Sequence, residues 1–324
     1  MTNLIDIKGV RHAYQTDSGP LPVLDGLEIS VPEGGFVAVV GPSGCGKSTL
    51  TRLIAGLMKP DAGEVWLHGE RVKGPRSTVG MAFQNPVLLE WRTILKNVLL
   101  PLEIVPSKLS KKQAEERARF LLALVGLEGF EEKRPSELSG GMRQRASLCR
   151  ALIHQPDVLI LDEPFGALDA FTREDLWQTM HKVKEREPFT GVLITHDLRE
   201  SIFLADQVVV LSGRPARTQY VLDIPSSGPR TLEDLWQTMH RVKEREPFTG
   251  VLITHDLRES IFLADQVVVL SGRPARTQYV LDIPSSGPRT LEDLYTPIAA
   301  EQLNILRHQI QIAQGRAPAE KAAP

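Results

Sequence analysis

Five apolar residues, Phe36-Val37-Ala38-Val39-Val40, run directly into Gly41-Pro42-Ser43-Gly44-Cys45-Gly46-Lys47-Ser48-Thr49, and Leu50, Leu53 and Ile54 follow at helical spacing. No other stretch constrains the fold as strongly. A short apolar run reads as a buried strand and the stripe after it as a helix, so the chain must turn from one to the other within the glycines. Gly41, four spacers, Gly46, Lys47 and Ser48 fit the phosphate-binding P-loop pattern. Gly44 and Gly46 let backbone N–H groups face an anion, and the helix start adds the positive end of its dipole. Lys47 is placed to reach terminal phosphates and the Ser48 hydroxyl suits Mg²⁺. The expected class is α/β with a P-loop NTPase core, and the chain is read first as a nucleotide binder.

Composition narrows the alternatives. With 324 residues and 42% hydrophobic content the chain can bury a large core, and length alone would suggest about two domains. The net charge of -2 offers no electrostatic footprint for nucleic acid or anionic lipid. Cys45 and Cys149 are too few for a disulfide framework, which fits a reducing compartment. No apolar run approaches the ~18 residues of a membrane span, and the first nine residues lack a signal-peptide core.

In chain order, residues 4 to 7 and 23 to 31 read as strands around a loop carrying Gln15, Asp17 and Gly19, with Tyr14 at its front. An aromatic there could stack on adenine or simply pack. A turn at 60 to 63 precedes a strand at 64 to 67, and another strand over 79 to 83 ends at Gln84. Beyond it lies the partly apolar loop Asn85-Pro86-Val87-Leu88-Leu89, with Trp91 close behind. Residues 93 to 125 have a helical pattern, with a capping box at Ser110 and Gln113. The pair Gly140-Gly141, after Ser139, opens a further helix whose free N–H groups could hold an anion. Residues 158 to 161 form an apolar strand that ends in Asp162-Glu163, where a P-loop fold needs carboxylates: Asp162 for Mg²⁺ and Glu163 for the attacking water. A helix opening at Thr172 and a strand over 191 to 195 follow, with His196 at the strand's end.

Taken together, these pieces resemble the ATP-binding subunits of ABC transporters over almost all of residues 1 to 230. The most specific element is Leu138-Ser139-Gly140-Gly141-Met142-Arg143-Gln144-Arg145, which is similar to the ABC signature. The resemblance implies an ABC ATPase core with an N-terminal antiparallel β part and a helical subdomain near 85 to 155. It also implies that Tyr14 stacks on adenine, that Gln84 lies near Mg²⁺ and water, and that His196 is the switch histidine at the γ-phosphate. ATP would be held by Tyr14, by Gly41 through Thr49, and by Ser139, Gly140 and Gly141. Mg²⁺ would be held by Ser48, Gln84 and Asp162, and Glu163, His196 and Gln84 would be catalytic. Two subunits sandwich two ATPs in this family, so Ser139 and Gly141 would face phosphates held by a partner's P-loop. Residues 74 to 104 resemble the nitrate, sulfonate and taurine importer group, with 85 to 92 contacting a permease. That implies a homodimer, transmembrane permease subunits, an indirect substrate-binding protein, and a peripheral place on the cytoplasmic face of the bacterial membrane.

The family does not have the repeat found here. Residues 172 to 230 recur as 231 to 289, an offset of 59, and differ only at Arg173/Leu232 and Lys182/Arg241. The copies begin TREDLW and TLEDLW and the tail resumes TLEDLY, so an unequal exchange within the shared Glu-Asp-Leu is the simplest origin, recent or artificial. Two near-identical units argue against a solenoid. Without the surplus, 265 residues remain, which suits one ABC domain. One core has one slot for this set. Filling it with the second copy would loop the first out after Asp169, at roughly 2 kcal/mol of closure entropy. The expectation is therefore a domain over 1 to 230, a surplus copy over 231 to 289 and a C-terminal helix and tail over 290 to 324. His196 is expected to work and His255 to be redundant. The surplus strands at 251 to 253 and 267 to 270 are expected to lack a sheet of their own, a liability for solubility. The reading is an ABC importer ATPase; the alternatives are a soluble non-transport ABC ATPase and an inactive duplication product.

Overall fold

A computed structural model describes residues 2–105, 109–166, 168, 170–224, 257–271, 276–283 and 296–313. The chain divides into two units, Met1–Ser227 and Gly228–Pro324.

The first unit opens with β1 (Asn3–Thr16) and β2 (Gly19–Pro32), a long antiparallel hairpin. The expected loop is much shorter than the sequence implied. Gln15 pairs with Pro20 and Thr16 with Gly19, leaving only Asp17 and Ser18 to turn. Gly19 takes φ +110° and the Thr16 hydroxyl donates to its carbonyl at 2.7 Å, so a two-residue connection closes. Tyr14 therefore lies within a strand. Next come β3 (Phe36–Val40), β4 (Ala62–Leu67), β5 (Glu70–Arg71) and β6 (Val79–Phe83). The order β2-β1-β4-β5 makes the antiparallel sheet that the resemblance implied.

The larger sheet has the order β10-β9-β3-β8-β7-β6, from β7 (Val158–Asp162), β8 (Thr190–Thr195), β9 (Gln207–Leu211) and β10 (Thr218–Asp223). All its pairings are parallel except β9 with β10. All five β3 residues are buried, as an interior parallel strand covered on both faces requires. The slot between β3 and β7 is filled by β8, which belongs to the first repeat copy.

Six helices are described in this unit: α1 (Lys47–Ile54), α2 (Ile94–Ile104), α3 (Lys111–Leu124), α4 (Gly140–Leu152), α5 (Ala170–Arg186) and α6 (Leu198–Leu204). The helical pattern over 93 to 125 is thus two helices. The second starts at the expected capping box, with Gln113 N donating to Ser110 Oγ and Ser110 N to Gln113 Oε1. Helix α5 begins at Ala170, two residues before the expected Thr172. Helices α2, α3 and α4 pack on one another around Ile94, Val98, Leu121, Leu122 and Leu148. There Cys149 is buried and its thiol is pushed up by burial. Arg117 on α3 forms a buried pair with Glu187 at 2.6 Å, which joins α3 to the end of α5.

The second unit contains α7 (Leu257–Leu263), β11 (Gln266–Leu270), β12 (Thr277–Asp282) and α8 (Pro297–Ala313). Here the expectation of an unpartnered strand at 267 to 270 is corrected. Strand β11 pairs with β12, Gln266 opposite Asp282, in the register that Gln207 and Asp223 take in the first copy. A hairpin is a local contact, so a copied sequence forms it again. Helix α8 lies within the expected C-terminal segment, and its Leu303 and Leu306 close a small core with Ile261, Val269 and Ile283. One face stays open: Val268 is 47% and Leu270 59% exposed, whereas their first-copy counterparts Val209 and Leu211 are buried. Residues 251 to 253 and His255 lie outside the described residues.

Candidate active site

The P-loop joins β3 to α1. Helices α2, α3, α4 and α6 are capped by the side chains of Thr93, Ser110, Ser139 and Asp197, but α1 has Gly46 at its cap and no side-chain cap. Its first N–H groups are therefore left for an anion. Gly46 has φ +122°, and an added Cβ would lie 2.7 Å from Val23 Cγ1 and 2.9 Å from Leu24 Cδ2. The glycine is required by protein packed behind the loop as well as by the turn itself. Gly44, at φ +74°, would meet nothing within 4 Å. Pro42, Ser43, Gly44 and Ser48 are exposed while Cys45 and Thr49 are buried, so the loop presents one face. The Lys47 ammonium is buried and donates to Gly41 O at 2.8 Å and Pro42 O at 3.1 Å.

Asp162 ends β7 and lies 3.5 Å from the Thr51 hydroxyl of α1, which sets it under the P-loop helix. Burial and the neighbouring Glu163 charge raise its pKa, against the Thr51 hydrogen bond and the Arg52 and Lys47 charges. Glu163 takes the left-handed φ of +48°, a strained position for a non-glycine. Its Oε2 lies 3.6 Å from His196 Nδ1, beyond the end of β8. Gln84 joins them, because a Cβ added at Gly166 would lie 3.5 Å from Gln84 Nε2 and 3.8 Å from His196 Cε1. The parallel order β8-β7-β6 is what brings these three strand ends together.

Ser48, Gln84 and Asp162 offer a hydroxyl, an amide oxygen and a carboxylate, the hard oxygen set that Mg²⁺ prefers. The residues fit the ion. Tyr14 is also nearby: its hydroxyl is 3.1 Å from Thr49 Oγ1 and its ring sits edge-on to His12, centroids 5.1 Å apart. Ser139, Gly140 and Gly141 make no hydrogen bond to the P-loop among the described residues. Ser139 caps α4 through Met142 N, and a Cβ at Gly141 would lie 2.5 Å from Thr172 Cγ2.

Several residues around the site were not singled out from sequence. Gln144 on α4 is buried and donates to Phe83 O, one residue before Gln84. Arg150 on the same helix donates to Pro86 O and Val87 O. Asn97 is buried and bonds Leu89 N, Leu89 O and Arg92 O. The loop after Gln84 is thus fixed from behind, with Val87 64% and Trp91 72% exposed. Arg173 bridges Leu168 O to Asp197. The signal for Arg173 was present in the sequence as one of the two positions that distinguish the copies.

Comparison with known proteins gives the same picture. The family described as ABC transporter matches residues 24–166. The chain is 41% identical over 232 residues to the bicarbonate transport ATP-binding protein CmpD of Synechococcus elongatus, covering 71% of this chain and 84% of the relative. It is 41% identical over 233 residues to the nitrate import ATP-binding protein NrtD of the same organism, covering 72% and 85%. The aliphatic sulfonates import ATP-binding protein SsuB of Bacillus cereus is 35% identical over 252 residues, covering 77% and 98%. Among solved structures, a dimeric post-hydrolysis state of an ATP-binding cassette with ADP and phosphate superposes with a TM-score of 0.61 at 29% identity, covering 68% of this chain and 99% of that one. A helix-capped P-loop, a carboxylate pair beneath it and relatives matched over most of their length lead to one assignment: the chain belongs to the ABC transporter family, as an ATP-binding, ATP-hydrolysing subunit.

Proposed function

We propose that the chain energises an importer of a small anion, of the nitrate, sulfonate or bicarbonate kind, as a homodimer on the cytoplasmic face of a bacterial membrane. The observation that carries this reading is the exposed apolar pair Val87 and Trp91, presented on a loop braced by Arg150 and Asn97 directly after Gln84. A rigid apolar protrusion beside a hydrolytic site suits a membrane partner that must sense that site. The cargo class is suggested by the relatives named above, which serve bicarbonate, nitrate and sulfonate systems. A substrate-binding protein would act through the permease.

In this reading Lys47 and the α1 N–H groups bind the phosphates, and Tyr14 holds the adenine. Ser48, Gln84 and Asp162 would hold Mg²⁺, which supplies charge neutralisation at the phosphate oxygens. Gln84 orients the attacking water, Glu163 accepts its proton, and His196 donates to the γ-phosphate. Ser139 and Gly141 of the partner subunit close the site. Reconstitution of the chain with its permease in vesicles is the test. ATPase stimulation by substrate-loaded binding protein is expected, and permease-independent turnover of the same rate would refute the transport role.

A further inference from the structure

We infer that Arg173 is a positioning residue of the ATPase site, clamping the loop after Glu163 to the segment that carries His196, and that this clamp makes the two repeat copies functionally unequal. The inference rests on the role given above to His196 and Glu163.

The guanidinium of Arg173, near the start of α5, reaches in two directions. Its Nη2 donates to the backbone carbonyl of Leu168 at 2.9 Å, and its Nη1 donates to Asp197 Oδ2 at 3.1 Å. Leu168 lies five residues beyond Glu163, its amide bonded to Phe165 O and its side chain 3.9 Å from where Gly140 would carry a Cβ. Asp197 directly follows His196 and is the hub of that segment. It caps α6 through Arg199 N and Glu200 N, pairs with the Arg199 guanidinium at 3.0 Å, and donates its own N–H to Thr195 Oγ1. Fixing Asp197 on one side and Leu168 on the other fixes the spacing of the two loops from which Glu163 and His196 face each other.

The fork is mostly enclosed, with Arg173 20% and Asp197 14% exposed, so the contacts are shielded from water. Arg173 Nε is buried with no hydrogen-bond partner in the described structure. The two repeat copies differ at this position. Only two positions distinguish the copies, and Lys182/Arg241 keeps its charge. At the other, Arg173 corresponds to Leu232, which has no donor to bridge a carbonyl and a carboxylate. The second copy keeps the histidine, as His255, but lacks the clamp.

Arg173→Leu in the full chain writes the second copy's residue into the first. ATPase with Mg²⁺ and ATP is expected to lose about 10- to 100-fold in kcat, with KM and binding of a fluorescent ATP analogue changed less than about twofold. Arg173→Lys, which restores the charge at Asp197 but cannot fork, should recover part of kcat. Adding Leu232→Arg to Arg173→Leu should recover none. If Arg173→Leu does not fold, Arg173→Lys and Asp197→Asn serve alone, each expected to lower kcat at unchanged KM. Unchanged kcat in these variants, a parallel loss of kcat and analogue binding in Arg173→Lys, or rescue by Leu232→Arg would overturn the inference. His196→Ala measured beside them separates the two levels: if it is silent, the site reading falls and this inference with it; if it abolishes turnover while Arg173→Leu does not, this inference alone falls.

Discussion

Glu163 and His196 face each other across the ends of β7 and β8, Oε2 to Nδ1 at 3.6 Å, although 33 positions separate them in the chain. That facing pair lies beside the P-loop helix, with Asp162 beneath it. Glu163→Gln keeps the shape and removes the base, so ATPase should fall by about 100-fold or more while nucleotide binding persists. His196→Ala should likewise stop turnover, and His255→Ala should not. Steady-state hydrolysis by the three variants checks this, and loss of activity in His255→Ala alone would assign the site to the other copy.

Gly46→Ala meets two obstacles, the φ of +122° and the side chains of Val23 and Leu24. It should destabilise the first unit by about 1–3 kcal/mol and abolish nucleotide binding. Gly34→Ala, at φ +72° with nothing within 4 Å, carries the backbone strain alone and should leave binding intact. Denaturant midpoints and titration with a fluorescent nucleotide read both effects.

Glu200 is buried beside the His196 segment and accepts the Thr195 hydroxyl at 2.7 Å, while its Oε1 has no partner. Burial pushes its carboxyl up from 4.5 to about 8. Between those values the folded chain holds a proton that the unfolded chain has lost, so Glu200 makes stability fall as pH rises through that window and level off above it. Glu200→Gln removes this dependence and should be the more stable form at pH about 9, with little difference at pH about 4, below the unfolded value. Chemical denaturation at the two pH values decides; an equal slope in both proteins would contradict the buried neutral carboxyl.

Trp91 is 72% exposed on the loop beyond Gln84. Trp91→Ala should leave the ATPase of the isolated subunit unchanged and remove its stimulation by permease vesicles. Equal stimulation of Trp91→Ala and the parent would place the permease contact elsewhere.

Leu306 is fully buried in the small core of the second unit. Leu306→Ala should cost that unit about 2–5 kcal/mol and increase aggregation, without changing kcat of soluble protein. Light scattering alongside ATPase measures the two separately.

Local chemistry was legible from the chain alone. The strand, the glycines and the Lys47-Ser48 helix start are contiguous, as are Asp162-Glu163 and the Ser139-Gly140-Gly141 helix entry, so nucleotide binding, the α/β class and the family resemblance followed from short-range pattern. The capping box at Ser110 was legible for the same reason, because its partners are three residues apart. Only the tertiary structure put β8 of the first copy, and no other described strand, between β3 and β7. Two near-identical sequences cannot rank themselves by pattern; chain connection and long-range pairing do that. The fork of Arg173 spans 24 residues to Asp197, and Gln144 reaches 61 residues back to Phe83. Those bonds depend on where separate elements come to rest against one another, which no local periodicity encodes.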